Sequence, residues 1–143
     1  MKKTFLSLFA ITLFSCSTTN ATKNEGHNKL YEVLTQQSNG GASIRFFEIL
    51  SEPNEIKMLQ EDDNLKNKIK DTDIQSSNFI ILNMGEKTSG GYAIGIENVV
   101  ETDNDIIVTV KETNPEAGAM VTQGFTNPFC VVKINSKKHL IIK

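Results

Sequence analysis

The sequence contains no tryptophan, only two histidines, two cysteines, three prolines and no cluster of basic residues. Each scarcity removes a class of function. Lys137-Lys138 is an isolated turn-like pair, and fifteen Lys and Arg stand against seventeen Asp and Glu. Phosphate backbones are bound by clustered cations, so nucleic acid is not an expected partner. His27 lies in a polar segment and His139 beside an apolar run, neither in a triad or metal-ligand spacing. Glu61-Asp62-Asp63 has no neighbouring histidine and lacks the glycine and terminal glutamate of a calcium loop, which makes it a solvated acidic face. The sequence implies no metal and no cofactor. With Cys16 read as lipid-modified (below), Cys130 is left alone and no disulfide framework exists within the monomer; within Phe129-Cys130-Val131-Val132 it reads as a buried strand cysteine.

The one long apolar run is at the start. Lys2 and Lys3 precede an uncharged stretch from Thr4 to Phe14 that closes on Leu13-Phe14-Ser15-Cys16. A bilayer span needs about 20 apolar residues, so a run this short is a secretory leader and not a membrane helix. A cysteine after a small residue at the cleavage point resembles the bacterial lipobox, in which the thiol is acylated and becomes the new N-terminus. That resemblance implies a mature chain anchored at Cys16, neither spanning the membrane nor free of it. Ser17 in place of aspartate favours the outer membrane within a cell-envelope location. Losing Lys2 and Lys3 with the leader takes the formal charge from −2 to −4. The organisation expected is a leader over 1–15, an acylated cysteine with a flexible polar tether over 16–28, and one domain over 29–143.

Within the domain, Leu30–Gln36 and Ser43–Leu50 read as strands joined by a tight turn at Ser38-Asn39-Gly40-Gly41. Ser51 reads as an N-cap with Pro53 in the first helical turn. Ile56 and Leu59, then Leu65 and Ile69, share helical faces interrupted by the acidic triplet, giving one bent helix or two short ones. From Ser77 the period changes to two. Phe79-Ile80-Ile81-Leu82 is apolar on both faces, as a central strand covered on both sides should be. Tyr92, Ile94 and Ile96 alternate, as do Ile106, Val108 and Val110, across a turn at Asp103-Asn104. A loop is expected over 113–127, then a closing hairpin of Phe129–Ile134 with Leu140–Ile142 around Asn135-Ser136-Lys137. About seven strands and one helical insertion predict a mainly β domain. A β-sandwich, immunoglobulin-like in the first instance, precedes a partly open barrel.

Catalytic motifs fail on context. Lys87-Thr88-Ser89-Gly90-Gly91 is no phosphate loop, because its Lys precedes the glycines and a strand follows instead of a helix. Ser89 lacks a nucleophile-elbow pattern and a base. The chain is therefore expected not to be an enzyme.

Two segments carry a resemblance. Asn83-Met84-Gly85-Glu86-Lys87-Thr88-Ser89-Gly90-Gly91-Tyr92 resembles the Gly-Glu-x-x-Thr/Ser-Gly-Gly-Tyr signature of the PrcB family, the C-terminal domain of a protease complex subunit. Asn114-Pro115-Glu116-Ala117-Gly118, continuing to Thr122–Phe129, is similar to that family's Pro-x-x-Gly, Gln and Thr-x-Pro loop. Departures are the missing tryptophan in the helical region and Ala117 where proline is frequent. The resemblance implies an exported, often lipid-anchored accessory protein that stabilises or supports a partner protease without cleaving anything itself. The partner-binding residues it points to are Thr88, Ser89, Gly90, Gly91, Tyr92, Pro115, Gly118, Thr126 and Pro128. Gly90-Gly91 reads in the first instance as a plain turn with Tyr92 facing the core, because turn glycines usually serve the turn, and in the second as a contact site. The Thr-Ser-Gly-Gly-Tyr turn is also similar to the Thr-Gly-Tyr loop of chagasin-like inhibitors, which leaves direct protease inhibition through loops 86–92 and 113–128 as an alternative. A small-ligand or glycan-binding envelope lipoprotein is the third reading, thinly supported by two tyrosines and eight phenylalanines.

Overall fold

The period-two segments become the framework of the domain. A computed structural model of the chain describes residues 29–143; Cys16, the leader and the tether lie outside the described residues. The elements are β1 (Tyr31–Gln37), β2 (Phe46–Leu50), α1 (Pro53–Gln60), α2 (Asp71–Ser76), β3 (Asn78–Asn83), β4 (Lys87–Ser89), β5 (Ala93–Glu101), β6 (Asp105–Thr113), β7 (Gln123–Thr126), β8 (Phe129–Ile134) and β9 (His139–Ile142). They form a four-stranded sheet β1-β8-β3-β2, a three-stranded sheet β5-β6-β9 and a two-stranded ribbon β4-β7. The domain is mainly β and sandwich-like, as expected. Two of its features lie outside an all-antiparallel immunoglobulin sandwich: β9 runs parallel to β6, and helices cover one sheet.

Both inner strands of the larger sheet divide their side chains between two cores. Ile80, Leu82, Cys130, Val132 and Ile134 face the smaller sheet, where Ile94, Ile106, Val108 and Leu140 meet them. Phe79 and Val131 face the other way, onto Ile56, Leu65, Ile69 and Ile74 of the helical insertion. The double-sided apolar pattern of Phe79–Leu82 thus has the cause expected, a cover on each side. Gln36 Nε2 ties the two sheets together by donating to the Ile94 carbonyl at 2.9 Å.

The helical insertion is two short helices. The N-cap of α1 is Glu52 and not Ser51. Glu55 explains the difference, because its carboxylate accepts the N–H groups of both Ser51 (3.2 Å) and Glu52 (3.1 Å) and so closes the helix start from within. The acidic triplet bonds locally: Asp62 accepts the Asn64 N–H at 2.8 Å, and Asp63 pairs with Lys66 at 2.8 Å.

Three expectations about pairing are corrected. β1 and β2 are not a hairpin; they are the two edges of the larger sheet, β1 paired with β8 and β2 with β3. The Asn39–Ala42 segment crosses the end of the sheet instead of turning back. The Asn127 N–H reaches Asn39 Oδ1 at 3.1 Å, the Gly41 N–H reaches the Asn127 carbonyl at 3.0 Å, and buried Asn83 accepts the Ala42 N–H at 3.0 Å. β8 and β9 are not a hairpin either. After β8 the chain leaves the larger sheet, and β9 lies parallel to β6 from Asp105↔His139 to Val108↔Ile142. Finally, the expected loop over 113–127 contains β7, which pairs with the equally unexpected β4; strands among the described residues number nine, not about seven.

Cys130 is buried as expected, and burial pushes its thiol up from 9.0 to about 11. A raised thiol pKa contributes stability that is fully present below the unfolded value and is lost as pH rises through the folded one. Between pH 9.0 and about 11 the chain is expected to lose up to roughly 3 kcal/mol that a Cys130→Val variant keeps. Urea unfolding of both proteins across that range checks it; parallel pH profiles would remove the thiol as the cause.

Candidate functional site

The two family-like segments meet at one end of the sandwich. β3 ends at Asn83, the chain continues through β4 and Gly90-Gly91, and β5 begins at Ala93. The second segment leaves the same end of the smaller sheet, since Ala93 pairs with Thr113, and returns through β7 to β8. The ribbon joins them. Thr126 Oγ1 donates to the Ser89 carbonyl at 2.8 Å, and the Gly90 N–H donates to the Thr122 carbonyl at 3.0 Å. Gly91 has φ +87°, and a Cβ there would lie 2.9 Å from Pro115 Cβ and 3.1 Å from Val121 Cγ1. The glycine of one segment is therefore the seat for the proline of the other.

The expected contact residues divide by environment. Pro128 is fully buried and its carbonyl accepts the Met84 N–H at 2.9 Å, and Thr126 is buried beneath the ribbon. Gly90 is buried, Gly91 exposed and Pro115 half-buried where the segments join. Tyr92 is half-buried with its ring against the inter-sheet core, and Lys87 Nζ lies 5.6 Å from the ring centroid. Thr88 and Gly118 are exposed, Gly118 at a turn closed by the Ala119 N–H on the Glu116 carbonyl. Ser89 donates its hydroxyl to the Gly90 carbonyl at 3.2 Å. His139, the histidine among the described residues, pairs with Asp105 at 2.9 Å near the β5–β6 turn, the opposite end of the smaller sheet. No group of three or more potential metal ligands occurs among the described residues.

The site also has residues the sequence did not single out. Met120 is fully exposed and Phe125 is 68 % exposed, both on the returning segment. In β7 the side chains alternate, so with Thr126 turned inward Phe125 points outward, exposed among the described residues. Ile44 is also exposed; it follows the crossing segment, just after Ser43, whose carbonyl accepts the Glu86 N–H at 3.0 Å. Phe125 sits inside the quoted motif between Gly124 and Thr126, outside any apolar alternation, which is the signal the sequence carries for its exposure. The end of the sandwich thus offers large apolar side chains, polar ribbon groups and a rigid glycine–proline joint, an arrangement suited to gripping another surface.

Among known proteins, the model of the PrcB C-terminal family matches residues 78–135, a stretch that begins with β3, includes both segments of the site and ends just after β8. No curated protein and no solved structure matches the chain.

Proposed function

We propose, from the premise that residues 78–135 belong to the PrcB C-terminal family, that this chain is a non-catalytic accessory protein of an exported protease. The family ties the stretch to a subunit of a protease complex, which makes a protein partner the natural occupant of the exposed end. In this reading Cys16 carries the lipid that holds the domain at the cell envelope, on the outer membrane, and the domain binds and stabilises the protease. The carrying observation is the joint of Gly91 with Pro115. It assembles two distant segments into one surface that displays Met120 and Phe125. Thr88 and half-buried Tyr92 complete that surface, with Gly118 in the exposed turn beside it, while Thr126, Pro128, Ser89 and Gly90 hold its backbone.

Exposed aromatic and methionine side chains of this kind are the usual anchors of an interface, each worth about 2 kcal/mol or more when central. Met120→Ser with Phe125→Ser is expected to weaken protease capture by at least about tenfold. Because both side chains are exposed, the folded state should change by less than about 0.5 kcal/mol. Affinity purification from native membranes, read by mass spectrometry beside thermal unfolding, is the measurement. Recovery of the same protease in the same amount would remove this surface from the interaction. Loss of protease activity on adding the chain, in place of a longer-lived protease, would replace the accessory role by inhibition.

A further inference from the structure

Away from that end, β2 is an edge strand of unusual openness. It pairs with β3 in unbroken register from Phe46↔Asn83 to Leu50↔Phe79, and among the described residues no other group bonds its backbone. Edge strands are commonly blunted by a bulge, a lysine or a proline. The opposite edge, β1, has such a device: its register shifts between Val33 and Thr35, and Lys68 Nζ donates to the Leu34 carbonyl at 2.6 Å. The five residues of β2, Phe46–Leu50, carry none of these.

The two faces beside this edge differ in chemistry. On the helical side an open groove of about 330 Å³ runs between β2 and α1. Leu50, Leu59 and Ile81 form its floor, and Glu48, Glu55 and Asp62 stand at its rim. Among the described residues none of these three carboxylates has a cation within ion-pairing distance. On the other side β5 lies over β1, β8 and β3, which leaves Ile49 37 % exposed next to half-buried Phe47, whose ring the Arg45 guanidinium covers at 4.4 Å. One open row of backbone groups is therefore flanked on one face by the carboxylate rim, with Phe46 beyond it, and on the other by Ile49 and the Arg45-covered Phe47.

We propose that β2 is a docking edge for an extended segment of a partner polypeptide in which basic and apolar side chains alternate. Added as a fifth strand, such a segment satisfies the unpaired backbone, and its period of two sends its basic side chains to the carboxylate rim and its apolar ones to the face of Ile49. Charge decides against a second copy of this chain as the occupant, because β2 beside β2 would bring two acidic rims together. The docking edge and the Gly91–Pro115 surface rest on different residues and different tests, so either can fail without the other.

The test is fluorescence anisotropy of a labelled synthetic peptide alternating lysine and valine, titrated with the detergent-solubilised full chain. Binding is expected, and N-methylation of alternate peptide amides should abolish it while leaving the charges intact. Glu48→Gln with Asp62→Asn should weaken binding by about tenfold; the asparagine keeps an acceptor for the Asn64 N–H, which protects the fold. Absence of binding, equal binding of the N-methylated peptide, or equal binding by the variant would overturn the proposal. So would sedimentation showing a dimer that Glu48→Gln tightens, since that outcome assigns the edge to self-association.

Discussion

Lys133→Ala is expected to cost about 3–5 kcal/mol of folding stability, a large share of the 5–15 kcal/mol or so that holds an ordinary domain together. Lys133 stands on the helical face of β8, its side chain 10 % exposed, with Nζ 3.1 Å from Glu32 and 3.5 Å from Asp73. Glu32 is its cross-strand neighbour on β1, and Asp73 comes from α2, so one cation pins a strand edge and a helix to the centre of the sheet. Asp73 is itself 12 % exposed. Without the lysine its carboxylate keeps only the Lys70 N–H at 2.9 Å, and an under-paired buried charge is the main source of the loss. Lys133→Met combined with Asp73→Leu separates charge from packing. It restores apolar volume and removes the orphan, and it should fold within about 1–2 kcal/mol of the parent. Urea unfolding of the three proteins is the measurement. A mild effect of Lys133→Ala alone would mean that water reaches Asp73 freely.

Gly91→Ala should sever the two halves of the proposed contact surface. Alanine at φ +87° carries a backbone penalty of about 1–2 kcal/mol, and here its methyl also meets Pro115 at 2.9 Å and Val121 at 3.1 Å. Gly118→Ala is the matched control, because Gly118 has φ +82° and nothing within 4 Å of the added carbon. The backbone cost is shared, so the difference between the variants reports the joint itself. Gly91→Ala is expected to be about 1–2 kcal/mol less stable than Gly118→Ala and to lose protease capture, whereas Gly118→Ala keeps most of it. Equal stability and equal capture for the two variants would make Gly91 an ordinary turn residue.

Legibility followed physical range. The alternation in β3, β5, β6 and β8 is local, and it revealed those strands, the double cover of Phe79–Leu82 and the burial of Cys130. Partner choice is not local. Asn39-Gly40-Gly41 has the composition of a tight turn, yet its groups are satisfied by Asn83 and Asn127, residues that sequence spacing cannot bring near. β4 and β7 were invisible because three and four residues are too few to show a period and neither has an apolar alternation. Lys133 was hidden for the opposite reason: it sits in a good strand pattern, and only the sheet and helix around it show that its charge is enclosed. At the candidate site the glycine and proline positions were readable as chemistry. The outward aim of Met120 and Phe125 was not, since exposure is decided by what fails to cover a side chain.

The strand order has a consequence in time. Within the four-stranded sheet β8 is the neighbour that both β1 and β3 require, and it is the last of the four to be synthesised. Until Phe129–Ile134 is available, β1 has no strand to pair with and β3 has only the short β2. The sheet therefore forms through a closure between Tyr31 and Ile134, the kind of distant contact that makes folding slow. During that interval Phe79–Leu82, apolar on both sides, is uncovered, and the chain is at its most sticky. In the exported role proposed above, the chain passes a membrane pore before it folds, and late closure keeps it threadable. It also makes the first moments after passage the period in which protection from aggregation matters most.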